Sequence, residues 1–329
     1  MKIVRTLAVL FLASILCTAA IAQISAGLRG RVFDATGAAI AGAHVDLTEA
    51  ATGVRQQTLT SASGDYLFSN LNPGLYSLDV YVNGFQHLQR SGITVIVGQT
   101  VGADLTLTTG GERQTITVES DAAPLQAETS NIETNIPGTA ILAEPLNSRN
   151  FIQLTTLAPG VELPPGTLLP RINGGRPRTN EYLYDGISAL QPEPGQVAFF
   201  PILDDIAEFT IEADNVPAEF GRFNGGVVNV ATRSGSNTIH GSLFEYLRNE
   251  DLNARNYFAA AAPAPKPEYR RNLYGATLGA PILRDHLFFF GDYQGVRQLI
   301  GRPITSTIPT MAERIANKSG ALPGVTVTE

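Results

Sequence analysis

Chemistry needs particular side chains at particular spacings, and this chain offers few. Its histidines are His44, His87, His240 and His286, and none has a Glu within three residues. A zinc peptidase needs a His and a Glu at short spacing plus a distant His, because zinc takes nitrogen and oxygen ligands in a tetrahedron. That set is missing from the sequence. The only cysteine, Cys17, lies in the N-terminal segment discussed below. Gly225-Gly226 could cradle a phosphate, but no Gly-x-x-x-x-Gly-Lys pattern accompanies them. The residues point to a protein that is not an enzyme, with no cofactor and no metal.

One polar constellation remains. Asn173, Gly174, Gly175, Arg176 and Arg178 are followed closely by Asp185 and Gly186. The glycines permit turns that a side chain would obstruct. Arg176 and Arg178 could pair with Asp185, stay as solvated turn charges worth little to stability, or meet a ligand from an outward-facing loop.

The elements around these residues begin with residues 1–22. Lys2 and Arg5 give a positive start, Leu7 to Leu16 an apolar core, and Ala20-Ile21-Ala22 a small-x-small cleavage site, as in a secretory signal peptide. Cleavage would remove Cys17 and leave a chain without a thiol. Losing Lys2 and Arg5 would move the net charge from −7 to −9, with 21 basic residues against 30 acidic. An acidic chain is a poor match for nucleic acid, whose phosphates need a basic face.

The composition suits a mainly β fold: 32 glycines, 20 prolines, no tryptophan and only 16% charged residues. In residues 23–109, Ala43, Val45 and Leu47 alternate with His44, Asp46 and Thr48. Tyr76, Leu78 and Val80 alternate with Ser77, Asp79 and Tyr81, and Leu105 and Leu107 with Asp104 and Thr106. Period two with one apolar set predicts half-buried strands, here about seven in a two-sheet sandwich. The pattern G-x-V-x-D-x-x-G-x-x-I-x-G-A-x-V from Gly30, continued by T-x-x-x-G-x-Y-x-F-x-x-L-x-P-G-x-Y from Thr60, resembles the carboxypeptidase regulatory-like domain. That resemblance implies a transthyretin-like, carbohydrate-binding-like sandwich acting as a spacer or binding module.

Residues 110–124 read as a linker containing a short alternating segment, Gln114, Thr115, Ile116, Thr117 and Val118. Such a segment can add to a partner's sheet edge. It resembles a TonB box, the element that pairs with an inner-membrane energy-coupling protein, and it equally fits a last strand of the sandwich.

From Leu125 to Arg233, several motifs occur in order: Leu146-Asn147-Ser148-Arg149-Asn150-Phe151 with Leu157-Ala158-Pro159-Gly160-Val161, Arg171 to Arg178 with Tyr184-Asp185-Gly186, Pro201 to Phe209, and Val216 to Gly221. Together they resemble the plug of Oar-like TonB-dependent receptors. The resemblance implies a mixed α/β plug over residues 125–235 and the first strands of a transmembrane β-barrel over 236–329.

Three membrane strands are expected at Gly241–Leu247, Leu273–Ala280 and Leu287–Gln294, with a polar surface loop from Asn249 to Arg271 and a short turn from Pro281 to Asp285. In the third, Leu287, Phe289, Gly291 and Tyr293 share one face. Plugged transporters have about 22 strands, so a barrel of three to five strands is incomplete. The expectation is an N-terminal portion that forms no pore alone.

The resemblance implies energy-coupled uptake at the cell outer membrane, with the sandwich in the periplasm. Implied partners are a TonB-type protein of the inner membrane, outer-membrane lipid, and a glycan, small-molecule or peptide substrate. The rival expectation is a non-transporting outer-membrane or periplasmic protein whose sandwich binds carbohydrate or another surface.

Overall fold

The computed structural model describes residues 26–110, 115–119, 132–146, 148–191, 195–216, 220, 223–255, 266–301 and 311. The signal-peptide segment, Gln114, Asn147 and most of the stretch after Gly301 lie outside these residues. Two compact units emerge, Met1–Ser242 with Ala276–Tyr293, and Leu243–Gly275 with Gln294–Glu329.

The first core is the sandwich. One sheet pairs β1 (Gly27–Asp34) with β4 (Asp65–Ser69), β7 (Thr100–Gly102) and β8 (Leu105–Leu107). The other runs β3 (Arg55–Leu59), β2 (His44–Glu49), β5 (Gly74–Tyr81), β6 (His87–Val95) and β9 (Thr115–Glu119). The expected alternation holds in three dimensions. Ala43, Val45, Leu47, Tyr76, Leu78, Val80, Leu105 and Leu107 all enter one buried cluster, while Asp46 and Asp79 face away from it. The count exceeds seven because β7 and β8 are short parallel additions to opposite ends of β1. The alternation at Leu105 and Leu107 marks β8 in the sequence, whereas Thr100–Gly102 carries too little periodicity to mark β7. A register shift between Tyr76 and Leu78 on β5 faces the Gly92 region of β6, where φ is +76°, and marks a β-bulge.

The second core lies on a five-stranded mixed sheet. Its order is β10 (Ile132–Pro137), β15 (Ile206–Asp214), β16 (Val227–Thr232), β13 (Glu181–Tyr184) and β14 (Ile187–Ser188). A two-stranded ribbon, β11 (Val161–Glu162) with β12 (Arg171–Ile172), and two short helical segments, Gly138–Ala143 and Phe151–Leu157, accompany it. Their apolar residues converge on Phe151 and Phe209, whose rings meet edge-to-face at 5.2 Å. Strands, helix and 3-10 turns together give the mixed α/β character expected for this region.

A third sheet, of β17 (His240–Asn249), β18 (Tyr269–Leu283) and β19 (Leu287–Ile300), follows in simple meander order. The barrel is not closed. Among the described residues no helix is long and apolar enough to cross a membrane, which says nothing of strands.

Candidate functional site: the central sheet and its junctions

The polar constellation singled out in the sequence is brought to the edge of the central sheet, where it builds turns. Asn173 adopts φ +49°, takes its backbone bond from its own N–H to Gly160 O at 2.8 Å, and donates through Nδ2 to Ala213 O at 2.6 Å. Gly174 (φ +73°) and the Gly175 N–H, bonded to Ile172 O, complete the bend. Arg178 sits at φ +70°. Arg176 and Arg178 are exposed, and neither makes an ion pair among the described residues.

Pairing of these arginines with Asp185 is therefore not formed. Asp185 Oδ1 instead accepts from the Thr232 N–H at 2.8 Å, and Oδ2 from Thr232 Oγ1 at 2.6 Å. The reason is local. Asp185 stands at the end of β13, parallel to β16, and Thr232 ends β16 with a free N–H and hydroxyl within reach. Gly186 at φ +81° then lets the chain reverse into β14. Asp185 thus fastens the end of β13 to the end of β16. Among the described residues no group of three or more His, Cys, Asp or Glu is placed to hold a metal ion.

The L-N-x-R-N-F segment acquires a separate physical meaning for each residue. Arg149, at φ +51°, extends Nη2 to Asp204 Oδ2 at 2.5 Å, an ion pair only 11–12% exposed on each side. Asn150 Oδ1 caps the following 3-10 turn by accepting from the Ile152 N–H. Phe151 fills the aromatic cluster with Tyr184, Phe200 and Phe209. Breaking such a buried pair costs about 3–5 kcal/mol, because one charge is left uncompensated. The partnership was not foreseen from sequence. Its one signal was Asp204-Asp205 embedded between Leu203 and Ile206, an acidic step inside an apolar run.

A second missed feature is the acidic face of the sheet. Glu133 on β10 and Glu208 and Glu212 on β15 lie near one another, with Asn229 on β16. The loop joining β6 to β7 covers part of this face. The Val97 N–H donates to Glu208 Oε1 at 2.6 Å, and Thr210 Oγ1 donates to Val97 O at 3.5 Å. A Cβ on Gly98 would come within 3.4 Å of Glu212 Oε1, Thr210 Oγ1 and Asn229 Nδ2. Both Glu133 oxygens are buried without a hydrogen bond. Burial first, and the Glu212 carboxylate second, push the Glu133 carboxyl up to about 7. Burial also raises Glu208, against the bond from Val97.

Two junctions connect this core to its neighbours. Thr115–Glu119, which holds four of the five residues compared with a TonB box, runs parallel to β6 at the sheet edge, with Leu88 opposite Ile116 and Gln89 opposite Thr117. Asn237, after β16, ties three segments. Its N–H donates to Ala51 O at 3.0 Å, and its Nδ2 to Thr52 O at 2.7 Å and Asp285 Oδ1 at 2.8 Å. The Asp285 N–H returns a bond to Asn237 Oδ1 at 3.0 Å.

The three expected membrane strands all exist and are longer than their apolar runs, at 10, 15 and 14 residues. A membrane-crossing strand needs about 9–11. Pro281 to Leu283, expected in a turn, belongs to β18, and the turn is Arg284 to His286 with Asp285 at φ +62°. Proline is accepted there, near the strand's end. On β19, Leu287, Phe289 and Tyr293 are exposed in alternation, and so are Leu278 and Ile282 on β18. Leu243 and Leu247 do the same on β17, with Glu245 between them on that side.

Against known proteins, residues 27–108 match the carboxypeptidase regulatory-like domain and residues 231–327 an outer membrane beta barrel domain. Over 306 residues the chain is 28% identical to the TonB-dependent transporter Oar of Myxococcus xanthus, covering 89% of this chain and 29% of that protein. The siderophore receptor PirA from Acinetobacter baumannii aligns at 20% identity and TM-score 0.37, over 49% of this chain and 24% of its own. The outer membrane transporter YddB from Escherichia coli aligns at 19% identity and the same TM-score, over 46% and 24%. The chain is a homologue of the TonB-dependent transporter Oar, spans 29% of that transporter's length, and itself joins a carboxypeptidase regulatory-like domain to an outer membrane β-barrel domain.

Proposed function

We propose that this chain supplies the sandwich, the plug and the first barrel strands of an energy-coupled outer-membrane transporter. The central sheet is read as the plug, and Thr115 to Val118 with Gln114 as the segment that meets a TonB-type protein of the inner membrane. Substrate is captured at the outer face, and tension from the inner membrane reaches the plug through the linker before it. One observation carries this reading: a packed mixed sheet runs directly into strands of membrane-crossing length whose apolar residues are exposed at period two. A soluble sandwich would bury that face. The substrate, whether glycan, small molecule or peptide, is read by loops that the described residues do not identify.

The test uses the product of the intact gene in its own cell envelope. It should fractionate with the outer membrane and migrate faster unboiled than boiled, as closed barrels do. A product found soluble in the periplasm overturns the transport reading.

A further inference from the structure

The outward face of the sandwich's larger sheet carries residues that its fold does not need. β2, β5 and β6 point Val45, Leu47, Leu78, Val80 and Leu88 into the core, so Asp46, Asp79, Tyr81 and His87 stand on the opposite side. Register places Asp46 directly across from Asp79, and His44 across from Tyr81. Two like charges directly opposed on a sheet destabilise it. Asp46 adds a second cost. Its Oδ2 accepts only a 3.2 Å bond from Gln57, and its Oδ1 is buried with no hydrogen-bond partner among the described residues. Such orphaned acceptors are rare in folded proteins and call for an explanation. A local rule broken twice at one place is the signature of a site rather than of a scaffold.

Asp46, Asp79, Tyr81 and His87 line a groove of about 670 Å³, within the range of small-ligand sites. At one end the rings form a row: His44 stacks on Tyr81 at 4.9 Å, and His87 meets the same ring edge-on at 6.1 Å. His87 Nε2 also lies 3.4 Å from Asp79 Oδ1. At the other end stands the exposed guanidinium of Arg55, and Asn83 and Gln89 supply amides along the walls. The groove therefore interleaves strong acceptors with strong donors beside an aromatic wall. A cationic ligand would suit the two carboxylates but be opposed by Arg55, and an anion would face the reverse conflict. A neutral ligand rich in vicinal hydroxyls satisfies both kinds of group at once, since each hydroxyl donates and accepts, while its C–H face lies against the rings.

We propose that this groove is a binding site for a neutral saccharide, with Asp46 and Asp79 accepting from sugar hydroxyls, Arg55 and Gln89 donating to them, and Tyr81 forming the apolar wall. The site lies wholly within residues 46–89 and stands independently of the transport reading. It gives the sandwich a role in gathering or anchoring to glycan.

The experiment takes the detergent-solubilised product of the intact gene and titrates malto-, cello-, xylo- and chitohexaose by calorimetry. The same titrations are run on D46N and Y81A. At least one hexaose should bind, with affinity falling tenfold or more in each variant. D46N should also raise the thermal midpoint of the sandwich, because it removes the opposed charges; weaker binding with higher stability separates a ligand role from a folding defect. Absence of binding to every hexaose at millimolar concentration overturns the proposal, as does binding unchanged in both variants. Hexalysine bound by the parent and lost in D46N overturns the saccharide assignment in favour of a cation site.

Discussion

At Glu133 the protein holds a carboxyl where water and donors are both withheld, and the consequence is a proton. Its pKa, about 7 in the folded chain, lies above the ordinary carboxylate value. A raised acid binds its proton more tightly when folded than when unfolded. Its favourable contribution is therefore complete below about pH 4.5 and is lost as pH rises through 7. Glu133→Gln fixes the neutral state. The variant should leave local stability unchanged at pH 4 and add on the order of 2 kcal/mol at pH 8. Hydrogen exchange of the β10 and β15 amides at both pH values measures this, and equal protection of variant and parent at pH 8 would count against it. Arg149, by contrast, is a buried charge with its partner in place, Asp204. The sequence displayed Arg149 within a motif but not its partner 55 residues away. Periodicity reports which face a residue takes and carries no information on which distant charge will meet it. The same limit hid Val97 and Glu208, separated by 111 residues.

Among the elements, β9 joins the edge of a sheet as a parallel strand. The edge that β9 gives to β6 is closed to another protein, so a coupling protein that pairs through that same edge must first release β9 from β6. Cysteines at positions 89 and 117, opposite each other in the register, should form a disulfide that holds β9 in place. If Thr115 to Val118 couples through the edge it gives to β6, oxidised cells should lose cross-linking to the TonB-type protein and regain it on reduction. Cross-linking that survives oxidation would place coupling on the outer edge of β9 or on another segment. The elements themselves differ in how openly the sequence announced them. β2 and β5 were plain, because one buried set alternates with one exposed set. The start of β18 was not, because Tyr269 to Asn272 are polar and join the strand through ladder pairing rather than hydropathy.

At the scale of the whole molecule, two packed cores and a run of amphipathic strands follow one another, as the order of motifs implied. The apolar residues of the third sheet remain exposed because hydrocarbon, not protein, is their expected neighbour. In a membrane the cost of a misplaced charge there is high. Leu278→Arg should weaken insertion by about 2–4 kcal/mol near the bilayer midplane, seen as loss of the heat-modifiable outer-membrane band. A variant that assembles as well as the parent would remove β18 from the lipid face.

Asn237 fixes a direction as well as a contact. Its bonds tie Ala51 and Thr52 of the sandwich to the turn at Asp285, so the sandwich is moored beside the short connection between β18 and β19. In outer-membrane barrels the short connections face the periplasm, which makes this one amide a compass for the chain. Protease added to intact cells should accordingly spare residues 27–108 and cut them once the outer membrane is permeabilised. Cleavage in intact cells would mean that the needle points outward.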